Sequence, residues 1–275
     1  MNDNLAQNRL VSLLAGKKAR GQKTLLPFIT AGYPDLAATE ALLHEFERRC
    51  VEVCELGVPY SDPMADGPVI QASYTHALAG GVTTAGIFDT VRRYRQSGGK
   101  IALVAMVSYS IVFRQEPLHY IQQAAEAGID GLIVPDLPLE EAKSFSAVAQ
   151  SHGLANVMLV APTTSPDRRL EIAAQSRGFI YFISVAGITG ERDSLPQQTI
   201  EAVADLRTQI DTPVCVGFGI AKPAMVKTVC QVADGAIVGS AIVHRITDAL
   251  KRGTPRDQML GEVGDFVSEL LAPTK

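Results

Sequence analysis

The chain has 275 residues, of which 47% are hydrophobic and 20% charged, and its net charge at pH 7 is -4. A chain of this length and composition can bury a large core, so disorder is not expected. Positive and negative side chains are interspersed without a basic stripe for nucleic acid, and no apolar run approaches the roughly 20 residues that span a bilayer. We therefore expect small molecules or proteins as partners.

The cysteines and the first residues of the chain indicate the cellular compartment in which the protein works. The four cysteines form no paired C-x-x-C set, and two of them fall in apolar, strand-like runs where a buried thiol is usual. This pattern favours a reducing, cytoplasmic compartment. The first residues lack the basic-then-apolar order of a signal peptide, so we predict no targeting segment, and apolar spacing from Leu10 predicts an amphipathic helix ending near Gly16.

Short β-rich runs then alternate with helical stretches along the chain. The predicted strands are Leu25–Thr30, Val51–Leu56, Ile101–Met106, Gly131–Pro135, Val157–Ala161, Phe179–Ser184, Pro213–Gly217 and Gly235–Gly239. The predicted helices between them are Ala37–Arg49, Ile87–Gln96, Pro117–Ala127, Glu140–His152, Asp167–Gln175, Thr199–Gln209 and Pro223–Gln231, with another beginning near Ile242. Strict alternation predicts a parallel sheet, and eight units fit a closed barrel better than an open doubly wound sheet. We predict an α/β protein in which residues 1–275 form a single (β/α)8 TIM barrel domain with an extra N-terminal helix.

An acidic residue, Glu55, ends the second predicted strand, and a loop with two further carboxylates follows. Val51, Val53 and Glu55 share one face by the strand period of two, so the carboxylate lies among core side chains. Burying an unpaired carboxylate costs several kcal/mol, so a fold rarely keeps one there without a partner or a use. The two interpretations are a structural carboxylate hydrogen-bonded to a neighbouring strand end and a catalytic acid–base.

The carboxylates at or beyond strand ends have two possible uses. They are Glu55, Asp62, Asp66 and Asp136, and several could converge on one cavity. A metal site is one use, but the five histidines all fall within or just after helical stretches, so only Mg²⁺ or Mn²⁺ would suit, and we predict no metal. General acid–base catalysis is the better use, because an apolar cavity raises the pKa of a carboxyl toward neutrality.

Glycine-bearing turns follow the sixth, seventh and eighth predicted strands. They contain the segments GITG (187–190), GFGI (217–220) and GSA (239–241). Glycine lets backbone N–H groups approach phosphate oxygens, a helix N-terminus adds a favourable dipole, and Ser240 can donate as well. Any one of these glycines has the alternative use of relieving turn strain, but three such turns together favour a phosphate site.

The chain resembles the tryptophan synthase α subunit family over nearly its whole length. The resemblance is carried by six segments in the family order: FITAGYP (28–34), ELGVPYSDPMADGPVIQ (55–71), VPDLP (134–138), GITG (187–190), GFGI (217–220) and GSAIV (239–243). The second is long and unusual enough to be specific by itself, whereas the glycine turns are shared by many phosphate-binding barrels.

The resemblance implies a carbon–carbon lyase of tryptophan biosynthesis that cleaves indole-3-glycerol phosphate to indole and glyceraldehyde 3-phosphate by a retro-aldol step. It implies that Glu55 is the general acid–base and that Asp66 stabilises charge on the indole nitrogen. Tyr181 would support Glu55, and Thr189 would pair with Asp66 when the sixth loop closes. No cofactor is implied in this chain.

The resemblance also implies the rest of the binding site and a protein partner. The indole pocket would be walled by Phe28, Ile70, Met106, Ile133, Leu159 and Phe218, and the phosphate would be bound by Gly190, Gly219, Gly239 and Ser240. Family members form an αββα heterotetramer with a β subunit that carries pyridoxal phosphate. Asp62 and Pro63 match positions at that contact.

Three positions depart from the family pattern, and two other functions stay open. Ser110 stands where members usually carry asparagine, the sixth loop lacks an arginine that some members have, and Tyr60 replaces the commoner phenylalanine. The first two departures motivate one alternative, a non-catalytic paralogue that binds and activates a β-like subunit. The other is a different phosphate-sugar (β/α)8 enzyme, of the type with an internal half-barrel repeat, which we do not find in the sequence.

Overall fold

The computed structural model describes residues 7–63, 66–184, 196–217 and 219–275. In this part of the chain, the strands are β1 (Thr24–Thr30), β2 (Val53–Gly57), β3 (Ala102–Met106), β4 (Gly131–Ile133), β5 (Ala155–Val160), β6 (Ile180–Ile183), β7 (Val214–Gly217) and β8 (Gly235–Val238). Each pairs in parallel with its neighbours in chain order, and β8 pairs with β1, which closes the barrel. The predicted fold class, a (β/α)8 barrel, is confirmed.

Helices surround the barrel in the described residues. They are α1 (Arg9–Ala19), α2 (Leu36–Arg48), α3 (Pro68–Ala79), α4 (Thr84–Gln96), α5 (Tyr109–Arg114), α6 (Pro117–Ala127), α7 (Leu139–Ser151), α8 (Pro166–Gln175), α9 (Gln197–Gln209), α10 (Pro223–Val232), α11 (Ser240–Lys251) and α12 (Arg256–Leu271). None of these described helices is long and apolar enough to cross a membrane.

Most predicted elements match the observed ones within one to three residues, but some predictions were wrong or incomplete. Helix α1 continues past Gly16 to Ala19, because Lys17 and Lys18 in its last turn complement the helix dipole. Helices α3, α5 and α12 are not among the predicted elements. For α3 the signal was present, since Pro68 occupies the first helical turn where its missing N–H costs nothing.

Strand pairing determines which side chains point into the barrel. Phe28 of β1 pairs with Glu55 of β2, which pairs with Val104 of β3. Because paired residues of parallel strands project to the same face, Phe28 and Glu55 point inward together, and Gly57 does so two residues later. A Cβ atom on Gly57 would lie only 2.3 Å from Cζ of Phe28. A glycine at this position therefore lets the Phe28 ring cross the mouth of the barrel.

Helix α1 closes the N-terminal end of the barrel. The Asn8 side chain caps this helix and donates from Nδ2 to the carbonyl oxygens of Asp130 (2.7 Å) and Gly153 (2.6 Å). Leu10 is fully buried, and its Cδ2 lies 3.0 Å from where a Cβ of Gly131 would be. The helix therefore packs directly on the strand ends.

Two buried aspartates at this N-terminal end are paired with arginines. Asp130, just before β4, accepts from Arg95 (2.9 Å), from Arg9 (2.8 Å) and from the backbone N–H of Leu103 (2.8 Å). Asp234, just before β8, accepts from Arg207 (2.7 Å) in a similar arrangement, together with the N–H of Val214 (2.9 Å). These pairs tie a helix to the strands beside it and satisfy the buried charges.

Candidate active site

A cavity opens at the C-terminal end of the barrel and encloses about 860 Å³, including its open mouth. Its lining consists of Phe28, Glu55, Met106, Tyr181 and Ile237 from strands, with residues 66–70, 219–221 and 239–241 from the loops and helix starts that follow strands. This end of the barrel is where such enzymes carry their reactive groups. The structure thus brings Glu55 and Asp66 to the same cavity as Gly219, Gly239 and Ser240.

Glu55 lies at the floor of this cavity and is 2% exposed. Neither of its carboxyl oxygens forms a hydrogen bond with any described residue, so the structural interpretation, a hydrogen bond to a neighbouring strand end, finds no support within the described residues. Burial, with a smaller contribution from the charge of Asp66, raises the pKa of Glu55 to about 8. Because the pKa is close to neutrality, the group can both give and accept a proton under working conditions.

Asp66 lies at the rim of the cavity, immediately before the start of α3. Its backbone N–H donates to the Pro63 carbonyl (3.1 Å), and Gln71 donates from Nε2 to the carbonyls of Pro63 (3.0 Å) and Asp66 (2.8 Å). Gln71 therefore fixes the loop that positions the aspartate. Burial raises the pKa of Asp66 to about 6, so its carboxyl is mostly ionised at neutral pH while that of Glu55 is mostly protonated.

The start of α11 lies across the cavity from these carboxylates. The carbonyl of Gly239 accepts from the N–H groups of Ile242 (2.9 Å) and Val243 (3.1 Å). The N–H groups that come before these two in the chain have no carbonyl partner within the helix. Gly219 has a φ of +77°, which glycine adopts without strain. Free N–H groups, the helix dipole and the hydroxyl of Ser240 make this part of the cavity suited to an anion.

Some of the apolar residues expected around an indole line the cavity, and others do not. Phe28, Ile70 and Met106 line the cavity. Ile133 pairs with Met106, and Leu159 with Tyr181, so both project to the barrel interior, but neither is among the residues that line the cavity.

Tyr181 is 4% exposed, lines the cavity, and has its pKa raised well above the usual range by burial and then by the charge of Glu55. A Cβ on Gly217 would lie 2.4 Å from the Tyr181 hydroxyl oxygen, so this glycine makes room for the phenol. The predicted residues Gly187, Thr189, Gly190 and Phe218 lie outside the described residues.

Three polar residues singled out from the sequence lie away from the cavity. Asp62 is exposed and accepts from Ser61 Oγ (2.7 Å). Asp136 is exposed too, accepting from Ser108 Oγ (2.8 Å) and from the N–H of Tyr109 (2.7 Å), so it does not converge with Glu55. Ser110 is exposed, and its hydroxyl lies 2.7 Å from that of Ser108. Within the described ranges, no three His, Cys, Asp or Glu side chains form a group suited to a metal ion.

A closed parallel barrel with one buried carboxyl, one half-buried carboxyl and a helix N-terminus around one cavity is the architecture of a (β/α)8-barrel enzyme. The family model described as "Tryptophan synthase alpha chain" matches residues 14–268. The tryptophan synthase alpha chain of Rhodopirellula baltica is 43% identical over 268 residues, covering 95% of this chain and 96% of that protein. The chain belongs to the tryptophan synthase alpha chain family.

Solved structures agree with this assignment. The tryptophan synthase subunit alpha of Legionella pneumophila str. Paris superposes with a TM-score of 0.88 at 34% identity, covering 98% of each chain. A chain of the tryptophan synthase complex from Pyrococcus furiosus gives a TM-score of 0.83 at 30% identity, covering 91% of this chain and 98% of that one. The predicted family and the predicted activity, that of a carbon–carbon lyase in tryptophan biosynthesis, are confirmed. The alternative of a different phosphate-sugar barrel enzyme is thereby wrong.

Proposed function

We propose that Glu55 and Asp66 of this chain cleave indole-3-glycerol phosphate to indole and glyceraldehyde 3-phosphate. The observation that carries this assignment is the buried Glu55 carboxyl, which lacks a hydrogen-bond partner in the described residues and faces the same cavity as Asp66. Such a group costs several kcal/mol, and a fold rarely keeps one without a partner or a use.

Glu55 carries the proton transfer. With a pKa of about 8 the carboxyl is protonated at neutral pH, and it gives its proton to C3 of the indole ring. The carbon–carbon bond to the glycerol side chain then breaks, and the aldehyde forms as the adjacent hydroxyl loses its proton to the Glu55 carboxylate. The residue ends the cycle in its starting state, with the hydroxyl proton transferred in net terms to carbon.

Asp66 stabilises the intermediate. Protonation at C3 places positive charge on the indole nitrogen, and a carboxylate close to that nitrogen lowers the energy of the charged species. Its pKa of about 6 supports this role, since the group is mostly ionised at neutral pH. Tyr181 would support Glu55, and Thr189 would pair with Asp66 over the bound substrate.

The remaining lining residues hold the two ends of the substrate. Phe28, Ile70 and Met106, with Ile133, Leu159 and Phe218, would enclose the indole ring. Gly190, Gly219, Gly239 and Ser240 would bind the phosphate, for which the start of α11 offers N–H groups and a favourable dipole.

The partner we propose is a tryptophan synthase β subunit, in an αββα assembly. The Pyrococcus furiosus relative was solved within a tryptophan synthase complex. The face carrying Asp62, Pro63 and Ser110 is exposed or half-buried, and Phe113 in α5 leaves 68% of its surface exposed, as a contact surface would. The chain itself would need no cofactor, and pyridoxal phosphate would belong to the partner. We also propose a cytoplasmic location, supported by four free thiols.

The decisive experiment measures indole release from indole-3-glycerol phosphate by the wild-type chain and by Glu55→Gln. We expect the substitution to lower the rate by about 10²–10⁴-fold, the usual contribution of a general acid–base. Glu52→Gln is the matched control, because Glu52 lies just before the same strand and its side chain is 43% exposed. Residual activity of Glu55→Gln within tenfold of wild type contradicts the assignment.

A second arm tests the partner. Indole release is measured for the chain alone and after addition of a tryptophan synthase β subunit, with complex formation followed by sedimentation. We expect release in both cases and a stable complex. A wild-type chain that binds the β subunit but releases no indole in either case would instead be the non-catalytic paralogue.

A further inference from the structure

The ring of Phe28 lies across the end of strand β2, where the chain has a glycine. A Cβ atom on Gly57 would lie 2.3 Å from Cζ and 2.7 Å from Cε2 of Phe28, which is closer than real Cβ atoms approach another heavy atom. The ring therefore occupies the space that a side chain at position 57 would need. Phe28 lines the cavity, whereas Gly57 is not among the lining residues. The ring thus separates the glycine from the cavity.

The backbone does not require a glycine at this position. Gly219, at the same end of the barrel, has a positive φ that other residues rarely adopt, but Gly57 does not. It continues the regular pairing of β2 and lies opposite Met106 of β3. What excludes a side chain there is space, taken by the Phe28 ring and by the hydroxyl oxygen of Tyr74, which would lie 2.7 Å from the same Cβ.

The Phe28 ring has one direction in which it can move. Phe28 is 5% exposed and belongs to the core. Toward α11 it is already in close contact, because a Cβ on Gly239 would lie 3.3 Å from its Cβ and Cδ1 atoms. Protein interiors leave few voids around a buried ring, so the open space beside Phe28 is the cavity that it lines. A side chain at position 57 would therefore push the ring into the cavity.

A displaced ring would narrow the cavity close to its reactive group. Phe28 pairs with Glu55, and Gly57 follows Glu55 by two residues, or about 7 Å along the strand. The tip of the ring thus lies one layer above the carboxyl, where Met106 and Ile237 also line the cavity. A ligand that reaches Glu55 has to fit beside the Phe28 ring.

We propose that Gly57 is a specificity-determining residue of the lyase: by leaving space for the Phe28 ring, it sets the width of the cavity above Glu55 and so the size of the aromatic group that the site accepts. Adding even one methyl group to a well-packed region forces its neighbours to move, so alanine at this position would already narrow the site. This proposal rests on the proposed role of Phe28 in the indole pocket.

The first test measures the binding of indole-3-propanol phosphate, which has the indole ring and the phosphate but lacks the hydroxyl groups that cleavage needs. The chain contains no tryptophan, so indole fluorescence comes from the ligand alone. We expect Gly57→Ala to raise the Kd about 10–100-fold, as overpacking of a close-fitting site does. For indole-3-glycerol phosphate, KM should rise by more than kcat falls, because the ring is held in the ground state as well. A Kd within about threefold of wild type overturns the proposal.

Gly99→Ala is the matched control. A Cβ on Gly99 would lie 2.3 Å from Cζ of Tyr94, so this substitution also displaces an aromatic ring. Neither Gly99 nor Tyr94 lines the cavity. The Kd of the control should therefore stay within about twofold of wild type even where its stability falls. An equal rise in Kd in both variants would reflect a general loss of packing and would overturn the role of Gly57.

A double-mutant cycle identifies the displaced group. Phe28→Leu removes the Cε and Cζ atoms that meet position 57, whereas Tyr74→Phe removes only the hydroxyl oxygen there. Gly57→Ala should change the Kd by less than about threefold in a Phe28→Leu background and by its full factor in a Tyr74→Phe background. An undiminished effect in the Phe28→Leu background, or an effect lost in the Tyr74→Phe background, contradicts the proposal.

If far-UV circular dichroism shows that Gly57→Ala alone does not fold, the Phe28→Leu background still gives an answer. Phe28→Leu opens space beside Gly57, so at least one ring-methylated indole-3-propanol phosphate should gain about fourfold in affinity relative to the unmethylated ligand, the contribution of one buried methyl group. Adding Gly57→Ala refills that space and should remove the gain. The absence of any gain, or a gain that survives Gly57→Ala, is incompatible with the proposal.

Failure of the proposed function gives a different result. A wild-type chain that releases no indole refutes the catalytic assignment, but binding needs no turnover and still decides the role of Gly57. A wild-type chain that does not bind indole-3-propanol phosphate refutes the indole pocket itself, and the role of Gly57 with it.

Discussion

The two ends of the barrel treat buried carboxyls in opposite ways. At the N-terminal end, Asp130 and Asp234 each accept hydrogen bonds from an arginine and from a backbone N–H. At the C-terminal end, Glu55 is at least as deeply buried, yet its oxygens are bonded to no described residue. Burial costs desolvation energy for the carboxyls at both ends, but only at the N-terminal end do hydrogen bonds and ion pairs offset that cost.

The pKa values express the same contrast. Burial raises the pKa of Asp130, but Arg95, Arg9 and the Leu103 N–H all oppose the shift. At Glu55 burial and the charge of Asp66 act in the same direction, and the pKa reaches about 8. The ion pairs of the aspartates at the N-terminal end stabilise the barrel. The unpaired Glu55 carboxyl at the other end can take up and release a proton near neutral pH.

The largest effect on stability is expected when the buried ion pairs of Asp130 are removed. Asp130→Ala leaves the buried charge of Arg95 without a carboxylate, although the guanidinium still donates to the Gly99 and Gly128 carbonyls, and it leaves the Leu103 N–H unpaired, so the free energy of unfolding should fall by about 3–5 kcal/mol. Urea denaturation at pH 7 measures the loss. Indole release by the folded fraction should be unchanged, because Asp130 lies at the far end from the cavity. A loss below about 1 kcal/mol would mean that the arginine pair does not compensate the burial.

Asp66 should dominate the low-pH side of catalysis. Indole release should rise with pH as Asp66 ionises around its pKa of about 6 and fall as Glu55 loses its proton around its pKa of about 8. Asp66→Asn should lower kcat/KM about 10²–10³-fold at neutral pH, since it removes a charge that stabilises the intermediate. The same substitution should abolish the acidic limb and leave the basic limb. An acidic limb that persists in Asp66→Asn belongs to another group.

Glu55→Gln should stabilise the protein while it removes activity. The folded state holds the Glu55 proton up to pH about 8, whereas the unfolded state releases it near 4.5, so the free energy of unfolding of the wild type falls as pH rises between these values. The amide cannot ionise, so the variant should lack this slope. Above pH 8 it should be more stable than wild type by up to about 5 kcal/mol, since the two pKa values differ by about 3.5 units and each unit corresponds to ~1.4 kcal/mol. Parallel stability profiles from pH 5 to 9 would show that Glu55 is not the destabilising group.

The sequence predicts the barrel and the inward direction of Glu55 better than it predicts which residues pair with the buried aspartates. Alternating strand and helix patterns gave the closed barrel, and the period of two along β2 turned Glu55 inward. The partners of Asp130 were not predictable, because Arg95 lies 35 residues away and meets it only through the barrel's closure. Asp136 illustrates the converse: it follows a strand end, but a strand end does not fix the direction of a loop residue, and this one turns outward to Ser108.

Helix α3 shows a second limit of pattern reading. Apolar and small residues occur on all faces of this helix, so no polar stripe reveals its period in the sequence. The sequence pattern therefore does not reveal the helix that carries Ile70 to the cavity. Residues 187–190 form one of the six segments that carry the resemblance to the family, and they lie outside the described residues, so their roles are proposals.

The smallest effect is expected for an exposed ion pair whose N–O distance matches that of a buried pair. Arg93 and Arg95 lie two residues apart on α4, and each makes an ion pair of nearly equal length, with Glu40 (2.8 Å) and Asp130 (2.9 Å). The Arg93 side chain is 50% exposed, against 14% for Arg95, so solvent already screens the first pair. Glu40→Gln should therefore cost less than about 1 kcal/mol in the same urea experiment, and the loss should shrink further at 1 M salt. Equal losses for Glu40→Gln and Asp130→Ala would show that distance, and not burial, determines what each pair contributes.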